Sequence, residues 1–232
     1  MGNVKSIVAV LVIGAVASLA TVAAFASGAG PGVTAGEALQ KLMEGNQRYI
    51  ECRAPGQKLC DPDLRRSLVD GQKPYAIILS CSDSRVPPEI IFDKGMGEIF
   101  VIRVAGNVSD PIVLGSIEYA AEHLGSPLIV VLGHTRCGAV TAAVDATGKP
   151  EGNVGAILKK IGPAVKQARK EVKSTDKTEL LETAITDNIR LVCGTLTKRS
   201  KVIKAMVGEG KLKIVGAKYD LADGKVTLLD AK

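Results

Sequence analysis

Cysteine, aspartate and arginine fall together in Cys81-Ser-Asp83-Ser-Arg85, and histidine and cysteine in His134-Thr-Arg-Cys137; each stretch directly follows an apolar run. Two thiolates and an imidazole brought together form a Cys₂His donor set that suits Zn²⁺ and leaves one tetrahedral position for water or a carboxylate. An open position points to catalysis. A purely structural zinc site more often shows two close Cys-x₂-Cys pairs and four protein ligands. The candidate fourth ligand, Asp83, stands just before Arg85, close enough for a local charge-assisted pair. In the plain reading that pair only stiffens a turn. In the functional reading Arg85 draws Asp83 off the metal and leaves it free to accept a hydrogen bond from metal-bound water.

The chain has two histidines, His123 and His134. His134 follows the run 130–133 without a break and precedes Cys137 by three, so both can face the loops at the carboxyl end of one strand, where open α/β sheets bind ligands. His123, beside Glu122 and Leu124, reads as a capping or packing residue. Cys81 occupies the corresponding end of another strand, where a bare thiol in an exported protein would oxidise and zinc would protect it.

The elements that must position these residues are legible in the apolar pattern. Three short continuous runs, 75–79, 99–104 and 128–132, are bounded by polar turns and separated by helix-length segments such as 111–124. That pattern describes parallel strands covered on both faces, so the fold class is α/β, a central mostly parallel sheet flanked by helices. Thr34 with Glu37 three residues on forms a capping-box pattern that opens an amphipathic helix to about residue 49. Residues 51–73 are polar and punctuated by Pro and Gly, with a short helical stretch at 64–69. After Cys137, small residues at 138–144 and the stretch 152–172 suit two helices. Leu181, Ile185, Ile189, Val192 and Leu196 recur at helical spacing and mark a long core-facing helix. Runs 213–219 and 226–229 close the chain as strands joined at Asp223-Gly224.

At 232 residues the chain suits one domain with a substantial core. Residues 1–26 stand apart: Lys5 is their only charge, an Ala- and Gly-rich apolar run follows, and Ala24-Phe25-Ala26 matches a small-x-small cleavage site. This reads as a signal peptide cut after Ala26, placing the mature protein in the periplasm or outside the cell. The competing reading is an uncleaved membrane anchor, since about 20 apolar residues also span a bilayer. Residues 27–33 form a Gly/Ser/Pro linker. The formal charge of +6 comes with scattered Lys and Arg and only seven aromatics. A nucleic-acid surface is therefore disfavoured, and Lys159, Lys160, Lys166, Arg169, Lys170 and Lys173 read as a solvated helical face. Of the remaining cysteines, Cys52 and Cys60 flank Pro55-Gly56, a turn that could pair them in an oxidising compartment or leave them free. Cys193 lies on an apolar helical face and reads as a buried thiol.

Taken in order, the stretches Gly71-Gln72-Lys-Pro74, Cys81-Ser-Asp-Ser-Arg-Val-Pro-Pro-Glu89, Phe100-Val-Ile-Arg-Val-Ala-Gly-Asn107, Gly115-Ser-Ile-Glu-Tyr119 and Gly133-His-Thr-Arg-Cys-Gly138 resemble the motifs of a β-class carbonic anhydrase. The similarity spans roughly residues 35–230, which implies a catalytic domain at 34–232. The resemblance implies zinc ligands at Cys81, His134 and Cys137, a catalytic dyad at Asp83 and Arg85, and Asp83 as a fourth ligand in a closed state. It also implies a substrate-side amide at Gln72, an apolar cleft at Phe100 and Tyr119, and a backbone donor beside the metal at Gly138. The implied reaction is reversible hydration of carbon dioxide to bicarbonate and a proton by zinc-bound hydroxide, in a homodimer or dimer-based oligomer. Two alternatives stand beside it: a carbon disulfide or carbonyl sulfide hydrolase on the same fold, and a noncatalytic zinc-binding module. The chain has no Trp, so it lacks the aromatic partner found at the noncatalytic bicarbonate site of one allosteric subgroup.

Overall fold

A computed structural model describes residues 30–54, 61–148, 150 and 152–230. The expected signal peptide, residues 27–29 of the linker and Cys60, and with it the suggested pairing with Cys52, lie outside the described residues. Among the described residues no helix is long and apolar enough to cross a membrane.

Five strands, β1 (Ala76–Ser80), β2 (Ile99–Arg103), β3 (Leu128–His134), β4 (Lys213–Tyr219) and β5 (Val226–Leu228), form one sheet in the order β2-β1-β3-β4-β5. The first four run parallel and β5 is antiparallel at the edge. The chain leaves β1 toward β2 on one side, whereas it leaves β3 toward β4 on the other. The carboxyl ends of β1 and β3 therefore flank the point where the winding reverses, which is where such sheets open a crevice. Pairing of Ser80 with Leu132 puts Cys81 level with the Gly133-His134 step.

Every residue of β1 and β3 is buried, as their continuous apolar sequences require. Alternation sends Ile77, Leu79, Ile129 and Val131 to one face, under the helices α4 (Pro111–Glu118), α5 (Gly138–Asp145), α6 (Val154–Glu171), α7 (Lys177–Arg199) and α8 (Lys201–Gly208). Ala76, Ile78, Leu128, Val130 and Leu132 point to the other face, under α1 (Ala35–Ile50) and α3 (Pro88–Ile91). Each fully buried Ile or Leu contributes roughly 1.5–3 kcal/mol, so this double-sided core is what holds the strand ends in register. α1 opens as expected: the Thr34 hydroxyl accepts from the Glu37 amide, and the Glu37 carboxylate accepts from the Thr34 amide. Near its end the buried Asn46 amide donates to the carbonyls of Ile91 and Gly224 and accepts from the Val226 N–H, tying α1 to the β4-β5 hairpin.

Three departures from the sequence expectation have local causes. The helix expected at 111–124 divides, because Tyr119–His123 widens into a π turn closed by the Leu124 N–H on the Tyr119 carbonyl. The long helix ends at Arg199, where Ser200 accepts from the Ile203 N–H and caps a separate α8. α2 (Pro62–Ser67) starts earlier than expected because Asp61 caps it ahead of Pro62. The basic side chains of α6 and the segment after it lie at the surface as expected, with Lys160 half-buried and Arg169 donating to the Val144 carbonyl.

Candidate active site

Cys81 directly follows β1 and His134 ends β3, and a left-handed residue, Arg136 with φ 53°, turns the chain so that Cys137 follows at the start of α5. Such a φ costs a non-glycine residue of order 1 kcal/mol or more. Glu182 of α7 braces the turn: one carboxylate oxygen accepts from the Arg136 N–H at 3.2 Å and the other from Lys218 Nζ at 3.3 Å. Cys81, His134 and Cys137 are 4%, 0% and 1% exposed, and their ligand atoms all lie within 4.8 Å of one another.

The donor chemistry of this trio fits a tetrahedral metal. The two sulfurs are 4.0 Å apart, against about 3.8 Å for two thiolates each about 2.3 Å from a tetrahedral zinc. His134 Nδ1 lies 2.9 Å from the Thr135 carbonyl, which can only accept, so the proton sits on Nδ1 and the Nε2 lone pair is free. Nε2 is buried without a hydrogen-bond partner. An orphaned acceptor between two sulfurs is costly unless a cation occupies the space. The contact with Cys137, joined by the backbone N–H groups of Gly106 and Asp83, holds the Cys81 thiol well below the ordinary range against the opposing effect of burial. The same contact, with burial, pushes Cys137 up. A metal bound by both sulfurs would displace their thiol protons.

Asp83 sits at the mouth of this cluster, its Oδ2 3.8 Å from His134 Nε2. Both its oxygens are engaged by Arg85: Oδ1 accepts from Arg85 Nε at 2.9 Å and from the Arg85 N–H at 3.0 Å, and Oδ2 accepts from Nη2 at 2.7 Å. The side-chain bonds first, then the backbone bond, hold the Asp83 carboxyl well below the usual carboxylate range despite partial burial. Asp83 is therefore turned to Arg85 in this arrangement, as the sequence reading expected. The outer face of Arg85 lines a cavity of about 640 Å³ together with Thr135, Arg136, Glu182 and Lys218.

Of the remaining expected residues, Phe100 on β2 and Tyr119 have ring centroids 6.3 Å apart, and Tyr119 is 48% exposed. His123 packs on Tyr119 with centroids at 5.5 Å. Gly138 opens α5 beside Cys137, and a Cβ there would meet nothing within 4 Å, which leaves its backbone approachable. Gln72 is exposed ahead of β1 and makes no hydrogen bond within the described chain. Cys193 is half-buried rather than fully enclosed, yet burial still pushes its thiol up to about 12.

Two contributors escaped the sequence reading. Arg103, the last residue of β2, donates from Nε to the Cys81 carbonyl at 3.1 Å and from Nη2 to the Asp83 carbonyl at 2.6 Å, clamping the loop that carries both groups. Gly106, with φ 69° and ψ 17°, donates its N–H to Cys81 Sγ at 3.3 Å. The sequence signal for Arg103 was its place at a strand end next to the first motif.

The family model described as carbonic anhydrase matches residues 76–226, a span that holds all three sulfur and nitrogen donors and the Asp83-Arg85 pair. Carbonic anhydrase 2 of Mycobacterium tuberculosis is 42% identical over 199 residues, covering 83% of this chain and 92% of that protein. The carbonic anhydrase of Mycolicibacterium smegmatis is 40% identical, covering 82% of this chain and 91% of its own length. Among solved structures, a β-carbonic anhydrase of Aspergillus fumigatus is 30% identical with a TM-score of 0.66, over 84% of this chain and 90% of the other.

Proposed function

The chain belongs to the β-class carbonic anhydrase family, and on that premise we propose that Cys81, His134 and Cys137 hold Zn²⁺ and that the protein interconverts carbon dioxide and bicarbonate. The observation that carries this reading is the buried, orphaned His134 Nε2 between two sulfurs, with an ionised Asp83 3.8 Å away and turned outward by Arg85. A zinc ion held there supplies Lewis acidity and brings the pKa of water at the site to about 7. Asp83 would be placed to accept a hydrogen bond from a water held there and so to orient it toward the substrate, and Arg85 would keep Asp83 ionised. Phe100 and Tyr119 form an apolar wall for a nonpolar gas, and the Gly138 amide and Gln72 donate to substrate oxygens. Gln72 is exposed and makes no hydrogen bond among the described residues, and a second copy would complete the cleft in a dimer or dimer-based oligomer. Closure of the site by Asp83 would require Oδ2 to give up its 2.7 Å bond from Arg85 Nη2.

Purified protein is expected to carry about one zinc per chain, and His134→Ala or Cys137→Ser to lose most of it. Full zinc content in both variants by elemental analysis would refute the ligand assignment. No observation favours the sulfur-substrate hydrolases or the noncatalytic module over this reading. Export to the periplasm or beyond is proposed on the pattern of residues 1–26 alone; a native N-terminus at Ser27 is expected, and one still at Met1 would overturn it.

A further inference from the structure

Glycine 106 puts its N–H on Cys81 Sγ, but glycine by itself holds no particular φ or ψ. Its position is sterically reserved: a Cβ there would stand 2.8 Å from Ile161 Cδ1 and 3.2 Å from the Ala139 Cβ. The turn is closed from within by the Asn107 N–H on the Val104 carbonyl at 2.9 Å, and a second tie from outside it holds the Gly106 peptide itself. That tie is Asn188, whose Nδ2 donates to the Gly106 carbonyl at 2.9 Å from α7, 82 positions along the chain. Asn188 is 1% exposed, among the buried residues of α7 that also include Ala184, Ile185, Asp187, Ile189 and Val192. A buried amide in an apolar face costs about 1–3 kcal/mol where its groups go unmet, so packing alone would favour an aliphatic side chain there.

We propose that Asn188 is a positioning residue for the metal centre: by anchoring the Gly106 carbonyl it keeps the Gly106 N–H on Cys81 Sγ and so fixes the geometry of that sulfur as a ligand. The inference rests on Cys81 being a metal ligand, as proposed above. A hydrogen bond to a thiolate orients it and draws charge from it. Outer partners of this kind typically change metal affinity by about 10–100-fold when removed, and Asn188, acting through Gly106, belongs at the lower end of that range.

The test uses the full zinc-loaded chain and its cobalt(II)-substituted form, with Asn188→Ala, Asn188→Asp and a control, Leu196→Ala. Leu196 is buried on the same helix about 12 Å further along its axis, so its truncation loosens the core without touching the Gly106 turn. Zinc release to a chromogenic chelator is expected to speed up about tenfold in Asn188→Ala and Asn188→Asp. The sulfur-to-cobalt charge-transfer band should move to longer wavelength in both, because a sulfur that loses an N–H donor gives up its electrons more easily. Leu196→Ala should leave both readouts at wild-type values even where its thermal midpoint falls as far. If Asn188→Ala does not fold, Asn188→Asp carries the same expectation. Release and band unmoved in a folded Asn188 variant, or release speeded equally in Leu196→Ala, would overturn the inference. Absence of the band in the cobalt-loaded wild type would overturn the thiolate ligation itself, and the inference with it.

Discussion

Replacing Asp83 by Asn separates the chemistry of the site from its metal. The amide keeps the shape of the carboxylate and the Oδ1 contacts to the Arg85 N–H and Nε, but sets an NH₂ where Oδ2 now meets Arg85 Nη2 at 2.7 Å and faces His134 Nε2 at 3.8 Å. One charge-assisted hydrogen bond, worth roughly 1.5–3 kcal/mol when shielded, is lost. The Arg85 side chain is 55% exposed, so solvent screening reduces the effect on folding to about 1 kcal/mol or less. No metal ligand is altered, and zinc content should stay near that of the wild type. The barrier should respond far more than the fold: removing a positioned hydrogen-bond acceptor is expected to cost about 10²- to 10⁴-fold in turnover, or about 2.7–5.5 kcal/mol. Stopped-flow hydration of carbon dioxide with a pH indicator, alongside elemental analysis and a thermal melt, measures all three quantities on one preparation. Turnover within a few-fold of the wild type with zinc intact would refute the role given to Asp83. Loss of zinc would show instead that Asp83 serves the metal.

Two further predictions concern the scaffold. Gly133 lies just before His134, and a Cβ there would come within 2.6 Å of Ile189 Cδ1 and Cγ1; Gly133→Ala is expected to cost about 1–3 kcal/mol by chemical denaturation. The double variant with Ile189→Ala should lose less than the sum of the single losses, and strict additivity would refute the contact. Cys193 has a thiol raised by burial from 9.0 to about 12, so the folded state keeps a proton that the unfolded chain releases; its contribution is complete below pH about 9 and is lost as pH rises toward about 12. Cys193→Ala should flatten the decline of stability over that alkaline window, and an unchanged slope would contradict the assignment.

The parts of this fold that could be read along the chain are those in which the information is local. Continuous runs such as 76–80 and 128–134 declare strands buried on both faces, and the residues at their carboxyl ends, Cys81 and His134, inherit their place from the sheet. Thr34 with Glu37, and the apolar spacing through α7, are equally local. What stayed hidden acts across the chain through backbone carbonyls. Arg103 lies inside the run 99–104, and nothing in that run shows its two bonds to the Cys81 and Asp83 carbonyls. Asn188 carried a faint signal, a polar residue three positions after Ile185 and four before Val192 on a core face, but nothing in the sequence names Gly106 as its partner. The division at Ser200 was missed because helical residues continue on both sides, and only the cap bond to Ile203 shows that a new helix begins. Gln72 was placed at the substrate by motif alone, and within one chain it remains at the surface.

The central claim is that the Cys81, His134 and Cys137 cluster, with Asp83 beside it, makes this chain a zinc-dependent catalyst of carbon dioxide hydration. Its most direct test follows bicarbonate and proton formation from dissolved carbon dioxide by purified protein as isolated, after removal of metal with a chelator, and after readdition of zinc. The account predicts rates far above buffer for the zinc-replete protein, loss of that excess on chelation, and its return with zinc but not with magnesium, whose preference for oxygen ligands does not suit two thiolates. Zinc-replete, folded protein that hydrates carbon dioxide no faster than buffer would contradict it.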